Sequence, residues 1–382
     1  MAAIPAFGRA APFDLPADRT WLNASYMTPD AVPVRAAAEQ ALDRTAAPWT
    51  VHAEDFFSSG EVLRQRFAAI VNADAEGVAL VPAVSYGMST LAANLSLDAG
   101  QQIVVIEDQY PSNVYPWRRL AERTAASIVT VARPTDLDWA SAVLDAIDDS
   151  TGLVAVPNVH WSDGSLLDLV AIGAAARSVG ARLVVDGSQS FGVLPFDVAE
   201  VQPDAICAVG YKWLLGPYAL GYLWVAPELR DGDPLEQGWM TRVGSHDFAH
   251  LAEYRDGWQP GARRYDVGEA SHFLLAPMAI AALDLVLAYS PSAIADHLRG
   301  LTSRIEDGAR DLGLAPVPAK RRGDHLIGLR FPDNPPATLV DTLAAARVHV
   351  SVRGSAVRVS PHVYNTLEDA ERLLDVLAST IG

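Results

Sequence analysis

The chain has 382 residues, 50% of them apolar and 20% charged, a globular composition long enough for two domains. Its 29 Lys and Arg against 46 Asp and Glu leave a net charge of −17, which disfavours nucleic acid as a partner. The single cysteine, Cys207, excludes an intrachain disulfide and a Cys-rich metal site, so no metal is expected and a reducing cytoplasm is the simplest compartment.

The first twenty residues carry three prolines and no charged start followed by an apolar run, so they read as an irregular arm and not a signal peptide. No stretch approaches the roughly 20 consecutive apolar residues that span a bilayer, and no membrane is expected. Short apolar runs then alternate with helical patterns. Val78–Val81, Ile103–Ile106, Ile128–Val131, Leu153–Val156, Leu183–Val185 and Ala205–Val209 read as strands. Leu63–Val71, Tyr86–Leu95, Trp117–Ala126, Trp139–Ala146 and Val170–Val179 read as helices. Such alternation implies crossover connections and a mostly parallel sheet, covered on both faces.

Leu220–Val225 has no room for a helix before it and should join the sheet antiparallel, as a seventh strand. Arg230–Gly261, rich in Gly, Trp and charge, reads as an excursion that packs on something, conceivably a partner chain. The tail predicts helices at Met278–Tyr289, Ile294–Leu312, Thr338–Ala345 and Leu367–Ser379, a strand at Leu326–Arg330, and a strand pair at Val348–Val352 and Ala356–Ser360. The expected organisation is an arm over 1–20, a large α/β domain over 21–280 and a small C-terminal α+β domain over 281–382.

Three segments carry chemistry. In Val184-Val185-Asp186-Gly187-Ser188-Gln189, a carboxylate follows an apolar strand, where open α/β sheets bind ligands, although a turn or capping aspartate has the same pattern. In Gly210-Tyr211-Lys212-Trp213-Leu214-Leu215-Gly216-Pro217, a lysine just past a strand sits among aromatic and apolar residues. Desolvation there would favour the free amine needed for a Schiff base, while a snorkelling surface lysine is the bland alternative. Val81-Pro82-Ala83-Val84-Ser85-Tyr86-Gly87 passes from strand to helix, so its amides and the Ser85 hydroxyl could cup a phosphate or form an ordinary cap.

In this order, with Asp-x-x-Gln followed by a lysine 26 residues beyond Asp186, these segments resemble the class V aminotransferase family of pyridoxal-phosphate enzymes. That family has fold type I and includes cysteine desulfurases, kynureninases and isopenicillin-N-epimerase-like proteins. The resemblance runs from about Trp21 to about Leu374. It implies a large domain with a mostly parallel seven-stranded sheet, a small C-terminal domain, pyridoxal 5'-phosphate as cofactor, an amino acid as substrate and a homodimer with shared active sites.

It also implies roles. Lys212 matches the lysine of the internal aldimine, and Asp186 the carboxylate that keeps the pyridine nitrogen protonated. Gln189 and Asn158 match side chains near the ring hydroxyl, Ser85 and Val84 the phosphate cup, Tyr211 a phosphate contact and Tyr110 a ring stacked on the cofactor. In Arg358-Val359-Ser360-Pro361-His362-Val363-Tyr364-Asn365-Thr366, Arg358 matches the arginine that forks the substrate carboxylate; nearby Arg353 fits the spacing less well. Arg264–Glu269 resembles a segment reaching the partner's phosphate, but Glu269 stands where relatives place a hydroxyl or amide. Gly238-Trp239 resembles a short cross-dimer element of kynureninases.

The reaction is less constrained. Persulfide-type cysteine desulfurases need a thiol on a loop before the carboxylate arginine, and Leu343–Gly354 has none. Cys207, in a strand, reads as core. His160 and Trp161 either border the substrate or pack beneath the sheet edge. Transamination is the first expectation, with an α,β-lyase, a kynureninase-like hydrolase or an epimerase as alternatives. A catalytically dead scaffold is disfavoured because the lysine, aspartate, glutamine and arginine are all present, and a Rossmann nucleotide binder because no G-x-G-x-x-G follows a strand.

Overall fold

The computed structural model describes residues 4–381, so the first three residues of the expected arm lie outside it. Seven strands form the main sheet: β1 (Val78–Val81), β2 (Gln102–Ile106), β3 (Ser127–Val131), β4 (Thr151–Pro157), β5 (Arg182–Asp186), β6 (Ala205–Val209) and β7 (Gly221–Val225). Their order across the sheet is β1-β7-β6-β5-β4-β2-β3. β7 alone runs antiparallel to its neighbours, as the short Lys212–Pro217 connection requires.

The strands are mostly apolar on both faces because alternate residues enter different cores. Val78 and Leu80, Val104 and Ile106, Val154 and Val156 join one cluster with the helices Asp55–Ile70, Leu169–Ser178 and Leu275–Tyr289. Ala79 and Val81, Ile103 and Val105, Leu153 and Ala155 join the other with the helices Val84–Asn94 and Tyr115–Thr124. A four-stranded antiparallel sheet, in the order Ser351–Arg353, Ala356–Val359, Ile327–Arg330, Ala315–Pro316, has a core of its own.

Three features depart from the sequence reading. The run Val348–Val352 is two elements: Val348–His349 pairs in parallel with Thr20–Trp21, and Ser351–Arg353 pairs with Ala356–Val359. The chain must turn between two partners, which an apolar run does not reveal. A helix at Val32–Thr45 is absent from the sequence reading because it buries only Val34 and Ala41 and shows little apolar periodicity. The N-terminal segment is irregular but is tied to the far end of the chain. Thr20 Oγ1 donates to Asp369 (2.8 Å), the Gly8 amide to Val363 O (2.7 Å) and the Ala24 amide to Ser360 O (3.0 Å).

One buried ion pair clamps the main sheet to the loop that follows the long excursion. Arg64, from the Asp55–Ile70 helix, donates to Asp266 Oδ1 at 3.0 Å and to Val78 O at 2.6 Å; Asp266 also accepts the Leu80 amide at 2.8 Å. Removing Asp266 leaves the buried Arg64 with only the more exposed Glu61, 3.1 Å away, and leaves the Leu80 amide without its acceptor. Asp266→Ala should therefore destabilise the fold by about 3–5 kcal/mol, read from the denaturant midpoint at unchanged slope.

Candidate active site

The carboxyl ends of β1, β4, β5 and β6 open onto one cavity of about 240 Å3. Pro82, Val84 and Ser85 line it after β1, Pro157 and Val159 at the end of β4, Asp186, Ser188 and Gln189 after β5, and Tyr211 and Lys212 after β6. This is the crevice where parallel sheets expose unsatisfied strand ends and helix starts.

Lys212 sits on a closed loop. The Gly210 amide bonds to Leu220 O (2.8 Å), the Gly216 amide to Gly210 O (2.9 Å), and Thr28 Oγ1 caps the Lys212 carbonyl (2.8 Å). A Cβ on Gly210 would come within 2.6 Å of Leu220 O, so the closure requires glycine there. Leu215 and Ala219 take left-handed backbone angles (φ 58° and 64°), a strain that the loop bonds and the burial of Trp213, Leu214 and Leu215 sustain. The Lys212 side chain points inward and is 8% exposed, with its ammonium nitrogen 5.6 Å from the centroids of both the Tyr110 and Tyr211 rings.

Burial lowers the Lys212 pKa to about 8, helped by the charges of Arg358 and Arg353 and opposed by Asp186. Asp186 is buried, which raises its own pKa; the Ser188 amide, donating to Oδ1 at 3.0 Å, and the lysine work the other way. At the helix start, the Tyr86 and Gly87 amides bond back to Ala83 O, so the Val84 and Ser85 amides are left at the open N-terminus. Ser85 is exposed and lies inside the helix, and no side chain caps that end. The open amides and hydroxyl together could hold a phosphate.

The remaining positions divide. Tyr110, Tyr211 and Gln189 line the cavity. The Gln189 amide is held from behind: it donates to Ser25 O (3.1 Å) and accepts from the Trp213 indole (2.8 Å). Asn158 adjoins the cavity between Pro157 and Val159 without lining it, and its backbone amide reaches Asp186 O (3.2 Å). Arg358 is buried behind Trp161, whose carbonyl accepts from Nη1 at 2.7 Å, while Nε has no hydrogen-bond partner. Trp161 lines the cavity, and its ring meets Tyr110 edge-on at 5.7 Å. His160 turns away, stacks on Trp139 at 5.5 Å and is held neutral by burial, with a pKa of about 4. Cys207 is completely buried on β6, and burial pushes its thiol pKa up. Glu269 does not line this chain's cavity.

Two contributors had little signal in the sequence. Tyr218 and Gln109 also line the cavity. The Gly-Pro-Tyr turn after the lysine marks Tyr218 in retrospect, but nothing in the chain announces that Ser25 supports Gln189 across 164 residues.

The family model described as aminotransferase class-V matches residues 50–373. The chain belongs to that family. Its members depend on pyridoxal phosphate, and the cavity fits that group: a buried amine, a facing carboxylate and open helix amides converge on it. The chain is 28% identical over 320 residues to the uncharacterized aminotransferase YcbU of Bacillus subtilis, covering 84% of this chain and 83% of that one. It is 26% identical to the isopenicillin N epimerase of Streptomyces clavuligerus, covering 84% of each. Its fold resembles the apo cysteine desulfurase of Thermococcus onnurineus NA1, with a TM-score of 0.81, 22% identity and 95% of both chains covered.

Only the neutral amine of Lys212 attacks an aldehyde. Uptake of pyridoxal phosphate by cofactor-free protein should therefore slow below the amine's pKa and level off above it. The expected midpoint is about 8, against 10.5 for an ordinary lysine, measured as the absorbance rise on mixing at stepped pH.

Proposed function

We propose that the protein is a pyridoxal-phosphate-dependent aminotransferase that acts on an α-amino acid. The observation that carries this reading is the buried Lys212 amine, with a pKa of about 8, across the cavity from Asp186. When bound, pyridoxal phosphate supplies an aldehyde for an amine and an electron-withdrawing ring. Lys212 would hold that group through its amine, and its Nζ could take and return a proton within the cavity. Asp186 provides a negative charge where a ring nitrogen must stay protonated, and its shielding from water keeps that interaction strong. Val84 and Ser85 offer amides and a hydroxyl to the phosphate, and the Tyr211 hydroxyl sits within the same cavity. Tyr110 covers one side of the cavity and restricts ring tilt and water entry. Arg358 is the carboxylate receptor behind Trp161, its orphaned Nε ready for an acceptor. Gln189 would flank the place of the ring hydroxyl, with Asn158 adjoining it outside the lining.

Transfer is placed before epimerisation because Lys212 is the only amine or imidazole among the lining residues; a Tyr110, Tyr211 or Tyr218 phenol acting as a second base would favour the epimerase instead. One base can take an α-proton and return it on the same face, whereas inversion needs a second base opposite. Persulfide chemistry is disfavoured because the one thiol, Cys207, is sealed in the β6 core. We also propose a cytoplasmic homodimer. A half-exposed aromatic group of Phe56, Phe57, Trp239, Phe248 and Phe273, with Phe56–Phe273 centroids 4.9 Å apart, supports a partner surface.

The test is a panel of amino acids offered with 2-oxo acids, scored for the new amino acid. Transfer is expected, with a loss of about a thousandfold or more in Lys212→Ala. Cys207→Ala should stay within about twofold of the parent, since it removes one buried sulfur and no reacting group. Ammonia release in place of a new amino acid would make the protein a lyase.

A further inference from the structure

Two arginines stand side by side behind Trp161, a residue that lines the cavity, with no counter-ion. In the hairpin of the small sheet, Ser351 faces Arg358 and Arg353 faces Ala356. Facing residues, and residues two apart, share one face of a strand pair, so Arg353 and Arg358 project from the same face as diagonal neighbours. Both engage the same wall of the cavity. Arg358 Nη1 donates to the Trp161 carbonyl at 2.7 Å, and the Arg353 guanidinium lies 5.8 Å from the centroid of the Trp161 ring. The indole is itself pinned by its N–H to Asp108 O at 2.6 Å. Arg353 therefore rests on a fixed platform and not on a free loop.

Like charges in this arrangement repel. Arg353 adds to burial in lowering the Arg358 pKa to about 9, and both bear on Lys212. Among the described residues, neither arginine has a carboxylate within ion-pair distance, although carboxylates outnumber cationic side chains in the chain and other arginines, such as Arg9, Arg64 and Arg347, do form such pairs. Arg330, also opposite Ala356, lines a separate depression with Arg133 and Asp163. One α-carboxylate satisfies one forked guanidinium. The second remains for a second anion.

We infer that Arg353 binds a second carboxylate, and that the amino acid taken by this site is dicarboxylic, with an acidic group at the end of its side chain. The inference rests on the proposed reading of the cavity as an amino-acid site. Arg358 then takes the α-carboxylate, and Arg353, at the rim over Trp161, takes the distal one. The same pair would suit a dicarboxylic 2-oxo acid as amino acceptor. Without these two guanidiniums, a chain of charge −17 would repel a dianion, so the preference must be made locally.

Titration calorimetry of the cofactor-loaded protein with glutarate and with butyrate tests this without turnover. Glutarate should bind about tenfold or more tightly than butyrate. Arg353→Gln should erase that difference while leaving butyrate unchanged, and Arg353→Lys should keep part of it, which shows that the hairpin is intact. Equal binding of the two acids by the parent protein would overturn the inference. An equal loss for both acids in Arg353→Gln would overturn it too, by placing both arginines on a single carboxylate. A parent protein that prefers glutarate yet transfers no amino group to any 2-oxo acid would leave the inference standing and remove the proposed reaction.

Discussion

An amine kept out of water beside a carboxylate is the constraint on which the rest of this molecule turns. An isolated ammonium would not stay charged in such a place, and an isolated carboxylate would not either. Here each partly compensates the other, and the balance brings the Lys212 pKa down to about 8, so that about one-tenth of the amine is neutral at pH 7 where an ordinary lysine would be almost wholly charged. The supporting structure is backbone. Strand ends fix Asp186, a loop closed on Gly210 fixes Lys212, and Thr28 holds the lysine carbonyl from a distant segment. Two strained residues, Leu215 and Ala219, show that the loop's shape is imposed by its surroundings.

Electrostatics around this pair are arranged against the overall charge. The surface is acidic, yet the face of the small sheet nearest the cavity carries arginines. Their mutual repulsion is a cost that an anion bound between them would relieve. The arrangement converts a local destabilisation into selectivity, because a neutral or cationic ligand gains nothing from it.

The main sheet was legible because its central strands are nearly continuous apolar runs, and the cause is the alternation of residues between two cores. The same logic failed at Val348–Val352, where one apolar run serves two partners, and at Val32–Thr45, where a helix made largely of alanine and polar residues needs little core contact. In the cavity, residues next to strand ends could be named from sequence, since Asp186, Lys212 and Ser85 each follow one. Supports contributed across the fold could not. Ser25 behind Gln189 and Trp161 in front of Arg358 are products of tertiary closure, and no local pattern encodes them.

The tethering of the N-terminal segment has a consequence for how the protein is made. Thr20 bonds to Asp369 across 349 residues, and Ser25 bonds to Ser360 across 335. Ser25 in turn holds Gln189, and neighbouring Thr28 holds the loop of Lys212. On a ribosome these early residues emerge first and wait longest, since their partners are synthesised nearly last. The parallel sheet can assemble while translation proceeds, but its catalytic pocket cannot be finished until the far end of the chain returns to the beginning. During that interval the crevice lacks the segment that closes it, so completion of the pocket is the last event of folding and depends on contacts across more than 300 residues.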